Sequence, residues 1–301
     1  IYAGKKDYLA SSAPHDYSVT GTNVDLTSTR KAMDDFLVQT GNQVNRKVEA
    51  SYLYFGIKEQ EKNKLTIFSE NERKVLPKSI FLVFSQSTYK QLTGKDLNLT
   101  SNQVGLFTKN KTLKDQKSLS VNSQTYQIHD SLNDFLKGKV PNLFTIIVSD
   151  YSYLVVPDMD DFQESIKGTA TTQATYVGVN VKDPSHDAKK NSDLLDKITD
   201  KETQQLAGQI TGLPKSYFTA NSRYDAEGMV NGFVGGTLFI GIFLSIIFML
   251  GTVLVIYYKQ ISEGYEDRER FVILQKIGLD DLQVKQTIGK QVLTVFFLPL
   301  I

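Results

Sequence analysis

The chain has 301 residues, 41% of them hydrophobic and 22% charged, and a formal net charge of +1. It contains no cysteine, which excludes a disulfide scaffold, a thiol nucleophile and a zinc site with cysteine ligands. Residues 1–227 carry 28 basic and 27 acidic side chains, residues 228–258 carry none, and residues 259–301 carry six of each sign. Because nucleic-acid binding needs a strongly basic face, we expect no nucleic-acid partner.

The first 227 residues alternate between predicted helices and strands. A helix is predicted at 26–38, with Thr27 or Ser28 as its cap and Gly41 as its end. Further helices are predicted at 87–92, at 158–166 and, as one helix or two, at 184–210. Strands are predicted where apolar residues alternate or form short runs, at 49–57, 64–68, 79–84, 104–108, 118–128, 142–149, 153–156 and 174–181. Because the spacing is not that of regular βαβ units, we predict an α+β domain.

Catalytic patterns are weak in this region. His15, His129 and His186 are scattered, and we expect them to be solvated or to cap helices. The acidic run at 158–164 lacks the residue order of a calcium loop, and acidic residues in the first turn of a helix are favoured by its dipole. No nucleophile elbow or phosphate-binding loop is present. We therefore predict no catalytic residue, no metal site and no cofactor.

Four tyrosines on the predicted strands allow two interpretations. Tyr52, Tyr54, Tyr151 and Tyr153 could line a face that binds a peptide or a lipid. Packing between strands is the alternative, because aromatic residues are common in sheets.

Residues 229–258 form a predicted transmembrane helix. Crossing the hydrocarbon takes about 20 apolar residues, and this stretch is longer and carries no charge. Tyr257 and Tyr258 suit an aromatic belt at the membrane surface. Gly232 and Gly236 have the G-x-x-x-G spacing that lets a second helix approach closely. The alternative, a buried helix of a soluble protein, is disfavoured by the length of the uncharged run.

Flanking charge predicts the orientation of this helix. Only two basic residues precede it closely, Lys215 and Arg223, whereas six follow it: Lys259, Arg268, Arg270, Lys276, Lys285 and Lys290. The positive-inside rule therefore places residues 1–227 outside the cell and the carboxyl-terminal side in the cytoplasm. The apolar run at 292–301 would then re-enter the membrane, and we expect the chain to be a fragment of a longer membrane protein.

A charged, amphipathic helix is predicted at 262–277, just after the membrane helix. Phe271, Leu274 and Ile277 fall at three-residue steps and form one apolar stripe, and Gly278 is well placed to end the helix. A second amphipathic piece is predicted to start near Asp280. Such a helix can lie on lipid or dock in the groove of a cytoplasmic partner, and the balanced charge favours the protein groove.

The sequence around this helix resembles a known family. The residues that carry the resemblance are YYKQISEGYED at 257–267, followed by Arg270-Phe271 and QKIG at 275–278. Asn221-Ser222-Arg223 and Gly235-Gly236 add to it. Together they resemble FtsX-like permeases of bacterial ABC transporters, and within them the bacitracin-resistance (Bce-type) branch of Gram-positive bacteria, which handles peptide antibiotics directed at the cell wall. The resemblance covers about 60 residues, from 221 to 278.

The resemblance implies a ten-helix permease with a large extracellular domain between its seventh and eighth helices. Residues 1–227 would be an extracellular sensing domain, 228–258 the eighth helix, 259–290 a cytoplasmic coupling segment and 291–301 the start of the ninth helix. The implied partners are two ABC ATP-binding subunits, a sensor histidine kinase, membrane lipid, and a peptide antibiotic or a lipid-linked wall precursor. ATP hydrolysis would belong to the ATP-binding subunit. Tyr265, Glu266, Arg270 and Phe271 are the expected contacts to it.

Other functions stay open at this point. A related FtsX-like permease could export lipoproteins or activate a wall hydrolase. A membrane receptor or adhesin without an ATP-driven partner is a different class, and an extracellular hydrolase is disfavoured by the missing catalytic spacing.

Overall fold

The computed structural model describes residues 2–72, 77, 79–141, 150–207, 216–278 and 280–297. The predicted strand at 142–149, the last part of the predicted helix at 184–210 and the residues after 297 lie outside the described residues. Two compact units are present, Ile1–Val230 and Asn231–Ile301. We describe each unit by itself.

Helices and strands alternate in the first unit. The helices of the described residues are α1 (Tyr2–Ser12), α2 (Leu26–Thr40), α3 (Gln86–Thr93), α4 (Met159–Ser165), α5 (Ala188–Ala207), α6 (Arg223–Lys276) and α7 (Asp281–Phe297), with a short 3₁₀ turn at Glu70–Glu72. The strands are β1 (Tyr17–Thr22), β2 (Val44–Glu61), β3 (Lys64–Ile67), β4 (Ser79–Ser85), β5 (Gln103–Thr108), β6 (Ser118–Val121), β7 (Gln124–Ser131), β8 (Asp150–Val156), β9 (Thr171–Val181) and β10 (Tyr217–Ser222). The α+β prediction is confirmed for this unit, which is rich in sheet.

Seven of the strands close into a barrel. Around the ring the order is β2, β3, β6, β7, β5, β8 and β4, and β4 pairs with β2 to complete it. Parallel and antiparallel pairs alternate on most of the circuit, for example β4 parallel to β8 and β8 antiparallel to β5. Closure leaves these strands without a free edge for another chain to pair with.

Side chains fill the inside of the barrel. Alternate residues of each strand point inward, as the two-residue period of a strand requires, so that Phe55 and Phe81 stack at a ring separation of 5.8 Å. Phe162 of α4 is 2% exposed and contacts the ring of Phe55, which closes one end. A barrel of this size is just wide enough for its own side chains, and its interior is therefore a hydrophobic core.

The long strand β2 belongs to the barrel and also to a second sheet. Its first part pairs with β9, which pairs with β1, which pairs with β10. Helices α2 and α5 cover one face of this four-stranded sheet, with Met33 and Phe36 of α2 completely buried. On the other side, α3 and the segment 132–140 cover the outer face of the barrel.

The tyrosines at 52, 151 and 153 are part of that covering layer. Tyr52, Tyr151 and Tyr153 are 6%, 4% and 1% exposed, and Tyr54 is partly buried against the same cluster. Packing between strands is therefore confirmed as their role, and the interpretation as a ligand-binding face is wrong for the three buried rings.

Two predictions about helix starts and one about a strand need comment. The cap of α2 is Asp25, whose carboxylate accepts a hydrogen bond from the amide of Ser28, so the prediction of Thr27 or Ser28 is wrong by two or three residues. Gly41 ends α2 in the left-handed conformation as predicted. The single strand predicted at 118–128 is instead the hairpin β6–β7, which turns at Asn122 with φ of 53°.

The second unit is helical where the structure describes it. Helix α6 runs without interruption through 54 residues and ends before Gly278, whose φ is 104°. The prediction of Gly278 as the helix stop is confirmed, whereas the predicted separation of the membrane helix from the helix at 262–277 is absent. Helix α7 begins at Asp281, close to the predicted start.

Candidate functional site

The first turn of α6 is held to the sheet by a polar group that sequence analysis did not assemble. The guanidinium of Arg223 donates a hydrogen bond to the carbonyl oxygen of Pro14 at 2.7 Å and lies 3.5 Å from the carboxylate of Asp16. The backbone amide of Arg223 also donates to the carbonyl oxygen of Asp16 at 2.9 Å. These contacts join the start of α6 to the segment that precedes β1.

Asp16 extends this connection to the middle of the sheet. Its side chain is 8% exposed, and its carboxylate accepts a hydrogen bond from the backbone amide of Val181 at 3.0 Å. Its own amide donates to the side-chain oxygen of Asn180 at 3.1 Å. Since a buried carboxylate is tolerated only when it is paired and hydrogen-bonded, Arg223 and β9 together stabilise Asp16 in its charged form.

Ser222 and Asp225 cap α6 and bind it to α5. The amide of Asp225 donates to the hydroxyl of Ser222 at 3.1 Å, and that hydroxyl donates to the carboxylate of Asp225 at 2.6 Å. Ser192 of α5 contacts both residues through its hydroxyl. This is a form of the capping box, in which a serine and an acidic residue three positions later satisfy free amides at a helix start. We call Asp16, Ser192, Ser222, Arg223 and Asp225 the α6 anchor.

A buried histidine lies next to the α6 anchor. His15 is 1% exposed, and its Nδ1 atom is 2.7 Å from the hydroxyl of Tyr176. Burial, followed by the positive charges of Arg46 and Arg223, lowers the pKa of His15 to about 4. Burial raises the pKa of the Tyr176 hydroxyl above its ordinary range. The expectation of a solvated or capping histidine is therefore wrong for His15, whereas His129 and His186 are exposed.

The acidic run at 158–164 is a helix start, as predicted. Asp158 accepts hydrogen bonds from the amides of Asp160 and Asp161 at 2.8 and 3.1 Å and thereby caps α4. Among the described residues, no group of three or more histidine or acidic side chains is arranged to hold a metal ion.

Helix α6 contains a stretch suited to a membrane. Over Arg223–Glu269 the most apolar window has a mean hydropathy of 2.8 and none of it is buried. By length and composition, this helix is able to span a bilayer. Phe239, Phe248 and Val255 are each about 70% exposed, which indicates a lipid or protein environment around the helix, because large apolar surfaces are costly in water.

The predicted site residues all lie on α6. Gly232 and Gly236 are exposed, and a Cβ added at either would meet no atom within 4 Å, so one face of the helix allows close approach. Tyr265 is 73% exposed and Glu266 is exposed. Arg270 and Phe271 fall within the bounds of α6, and their side chains lie outside the described ones. Their contacts with a partner stay predictions.

Comparison with known proteins gives one local similarity. No family model matches the chain. A stretch of 65 residues is 35% identical to the ABC transporter permease protein YxdM of Bacillus subtilis (strain 168), which corresponds to 22% of this chain and 10% of that protein. The chain thus spans about a tenth of the length of this curated relative. The local similarity supports a relationship with ABC transporter permeases and a membrane location.

A solved structure resembles the chain more distantly. It is a 1.5 Å crystal structure from Bacillus anthracis, described provisionally as a lipoprotein, with 10% sequence identity and a TM-score of 0.32. The match covers 58% of this chain and 92% of that one. A TM-score this low supports no functional argument.

Proposed function

We propose that this chain is part of the permease subunit of an ABC transporter that senses antimicrobial peptides directed at the cell wall and confers resistance to them. In this proposal residues 1–227 lie outside the cell and bind the peptide antibiotic or its complex with a lipid-linked wall precursor. The chain itself is not an enzyme. ATP hydrolysis takes place in two ABC ATP-binding subunits, and a sensor histidine kinase is a further partner.

The observation that carries the proposal is the composition of α6. One helix begins at the α6 anchor of a folded domain, continues through an exposed apolar stretch and reaches a densely charged segment. A passive membrane tether would not need the last of these parts. The 65-residue similarity to an ABC transporter permease supports the same interpretation.

Coupling is the mechanism we propose for this helix. ATP-driven closure of the cytoplasmic subunits shifts the segment that contains Tyr265, Glu266, Arg270 and Phe271, and α6 transmits the shift to its first turn. Gly232 and Gly236 provide the surface on which a neighbouring membrane helix packs. Coupling between two sites requires an element whose equilibrium both sites bias, and α6 is the candidate element.

The test uses the complete permease with its ATP-binding subunit in a strain that lacks its own copy. Wild-type protein should raise the inhibitory concentration of bacitracin or a lantibiotic, and the peptide should stimulate ATPase activity of the purified complex. Replacing Arg270 and Phe271 by alanine should abolish stimulation, whereas Ser262→Ala on the same segment should leave it intact. Equal stimulation in all three proteins would refute the proposed contact.

Two other outcomes identify the alternatives. A deletion strain with unchanged peptide susceptibility but defective lipoprotein release or wall hydrolysis would indicate the related export or hydrolase-activating permeases. Purification of the complete protein without any ATP-binding subunit would indicate a receptor outside the transporter class. Either result would overturn the proposed function.

A further inference from the structure

Arg223 lies within reach of two alternative carboxylates. One is Asp16, at 3.5 Å on the segment before β1. The other is Glu227, four positions further along α6, where arginine and glutamate side chains are neighbours on the helix surface. Glu227 forms no ion pair among the described residues, and its side chain is partly exposed.

An open cavity of about 390 Å³ connects these groups. Asp16, Arg223 and Glu227 all line it, together with Tyr17 and Tyr224. The Nε atom of Arg223 is buried without a hydrogen-bond partner among the described residues. The guanidinium therefore has unused hydrogen-bonding capacity and space beside it in which to move.

We propose that Arg223 is a latch with two positions, resting on this chain's proposed permease function. In the latched position it pairs with Asp16 and fixes α6 to β9 through the amide of Val181. In the released position it pairs with Glu227 on its own helix, and α6 is free to move relative to the sheet. The latch supplies the two states that coupling between the domain and α6 requires.

The two carboxylates affect the latch in opposite directions. Asp16→Asn weakens the latched position, and removal of a partner from a buried ion pair is strongly unfavourable. Glu227→Gln weakens only the released position. Because exposed ion pairs contribute about 0.2–1 kcal/mol, this second change should alter the equilibrium about two- to fivefold.

Hydrogen exchange of the complete permease complex measures the latch directly. The amide of Val181 donates to the Asp16 carboxylate, so its exchange rate reports how often the latched position opens. Exchange should be slower in Glu227→Gln, by about two- to fivefold, and faster in Asp16→Asn. Peptide-stimulated ATPase activity should fall in the first variant, and the basal rate should rise in the second.

The outcomes separate the latch from the proposed function. Unchanged exchange at Val181 in Glu227→Gln would overturn the latch even if the wild-type complex confers resistance. Altered exchange in both directions without peptide-stimulated ATPase activity in the wild type would support the latch and refute the function. Glu227→Gln retains the buried contacts of the α6 anchor, so its result does not depend on whether Asp16→Asn folds.

Discussion

Acidification should destabilise the domain through His15. This residue is 1% exposed and its pKa is about 4, because burial and the charges of Arg46 and Arg223 disfavour the imidazolium form. An unfolded chain restores a histidine pKa of about 6.5. The unfolded state therefore binds a proton at a higher pH than the folded state does. The stability associated with neutral His15 is complete above about pH 6.5 and is lost as the pH falls towards 4.

The size of the effect follows from the two pKa values. A difference between about 6.5 and about 4 corresponds to about 3 kcal/mol of unfolding free energy once the pH is below both values. Between about pH 7 and pH 5 the expected loss is about 2 kcal/mol. Against a total stability of about 5–15 kcal/mol for a typical domain, this is readily measured.

Urea unfolding of the whole protein in detergent, followed by tyrosine fluorescence, provides the assay. His15→Asn is the matched control, since its amide occupies the position of Nδ1 beside Tyr176 and does not titrate. Carboxylates titrate in both proteins and cancel in the comparison. The wild type should lose about 2 kcal/mol more than His15→Asn between about pH 7 and pH 5. Parallel pH profiles for the two proteins would refute the reasoning.

Two substitutions test packing and capping. Gly178→Ala should destabilise by about 2 kcal/mol or more, because its Cβ would lie 2.5 Å from Nδ1 of the buried His15, whereas Gly4→Ala has open space and should be neutral or stabilising in a thermal unfolding scan. Asp25→Ala should cost about 1 kcal/mol through loss of the α2 cap, measured by the same scan, and an equal loss in Thr27→Ala would show that the cap is assigned to the wrong residue.

Short-range signals predicted most of the secondary structure. The helix at 26–38 and the strand at 79–84 are found as α2 and β4, because an apolar stripe and a buried run are complete within their own segments. The hairpin at 118–128 was missed because its apolar alternation continues across the turn. Asn122 carries the turn in a left-handed conformation, and asparagine tolerates that conformation better than most residues.

Closure of the barrel depends on pairing between distant segments. β2 pairs with β4 and β9 across long stretches of sequence, and no local pattern specifies which strands become neighbours. The strands β1 and β10 were missed for a related reason. Each is short, and each is stabilised mainly by its partner in the sheet.

The α6 anchor was partly readable from sequence. Ser222 and Asp225 have the spacing of a capping box at the start of a helix, and this signal would have moved the predicted helix start from 229 to 223. Asp16 and His15 gave no such signal. Their partners Val181 and Tyr176 are more than 150 residues away, so only the fold brings them together.

The filled barrel constrains how a sensing domain of this kind could work. Its interior is occupied by side chains such as Phe55, Phe81 and Phe162, so a peptide or lipid would have to be recognised on the outer surface. A change there can reach α6 through strands that share hydrogen bonds. β2 belongs to both sheets and pairs with β9, and β9 contacts Asp16 through Val181. Because Asp16 pairs with Arg223, the α6 anchor is the point at which this path enters the helix, and the latch decides whether a displacement of the sheet moves α6.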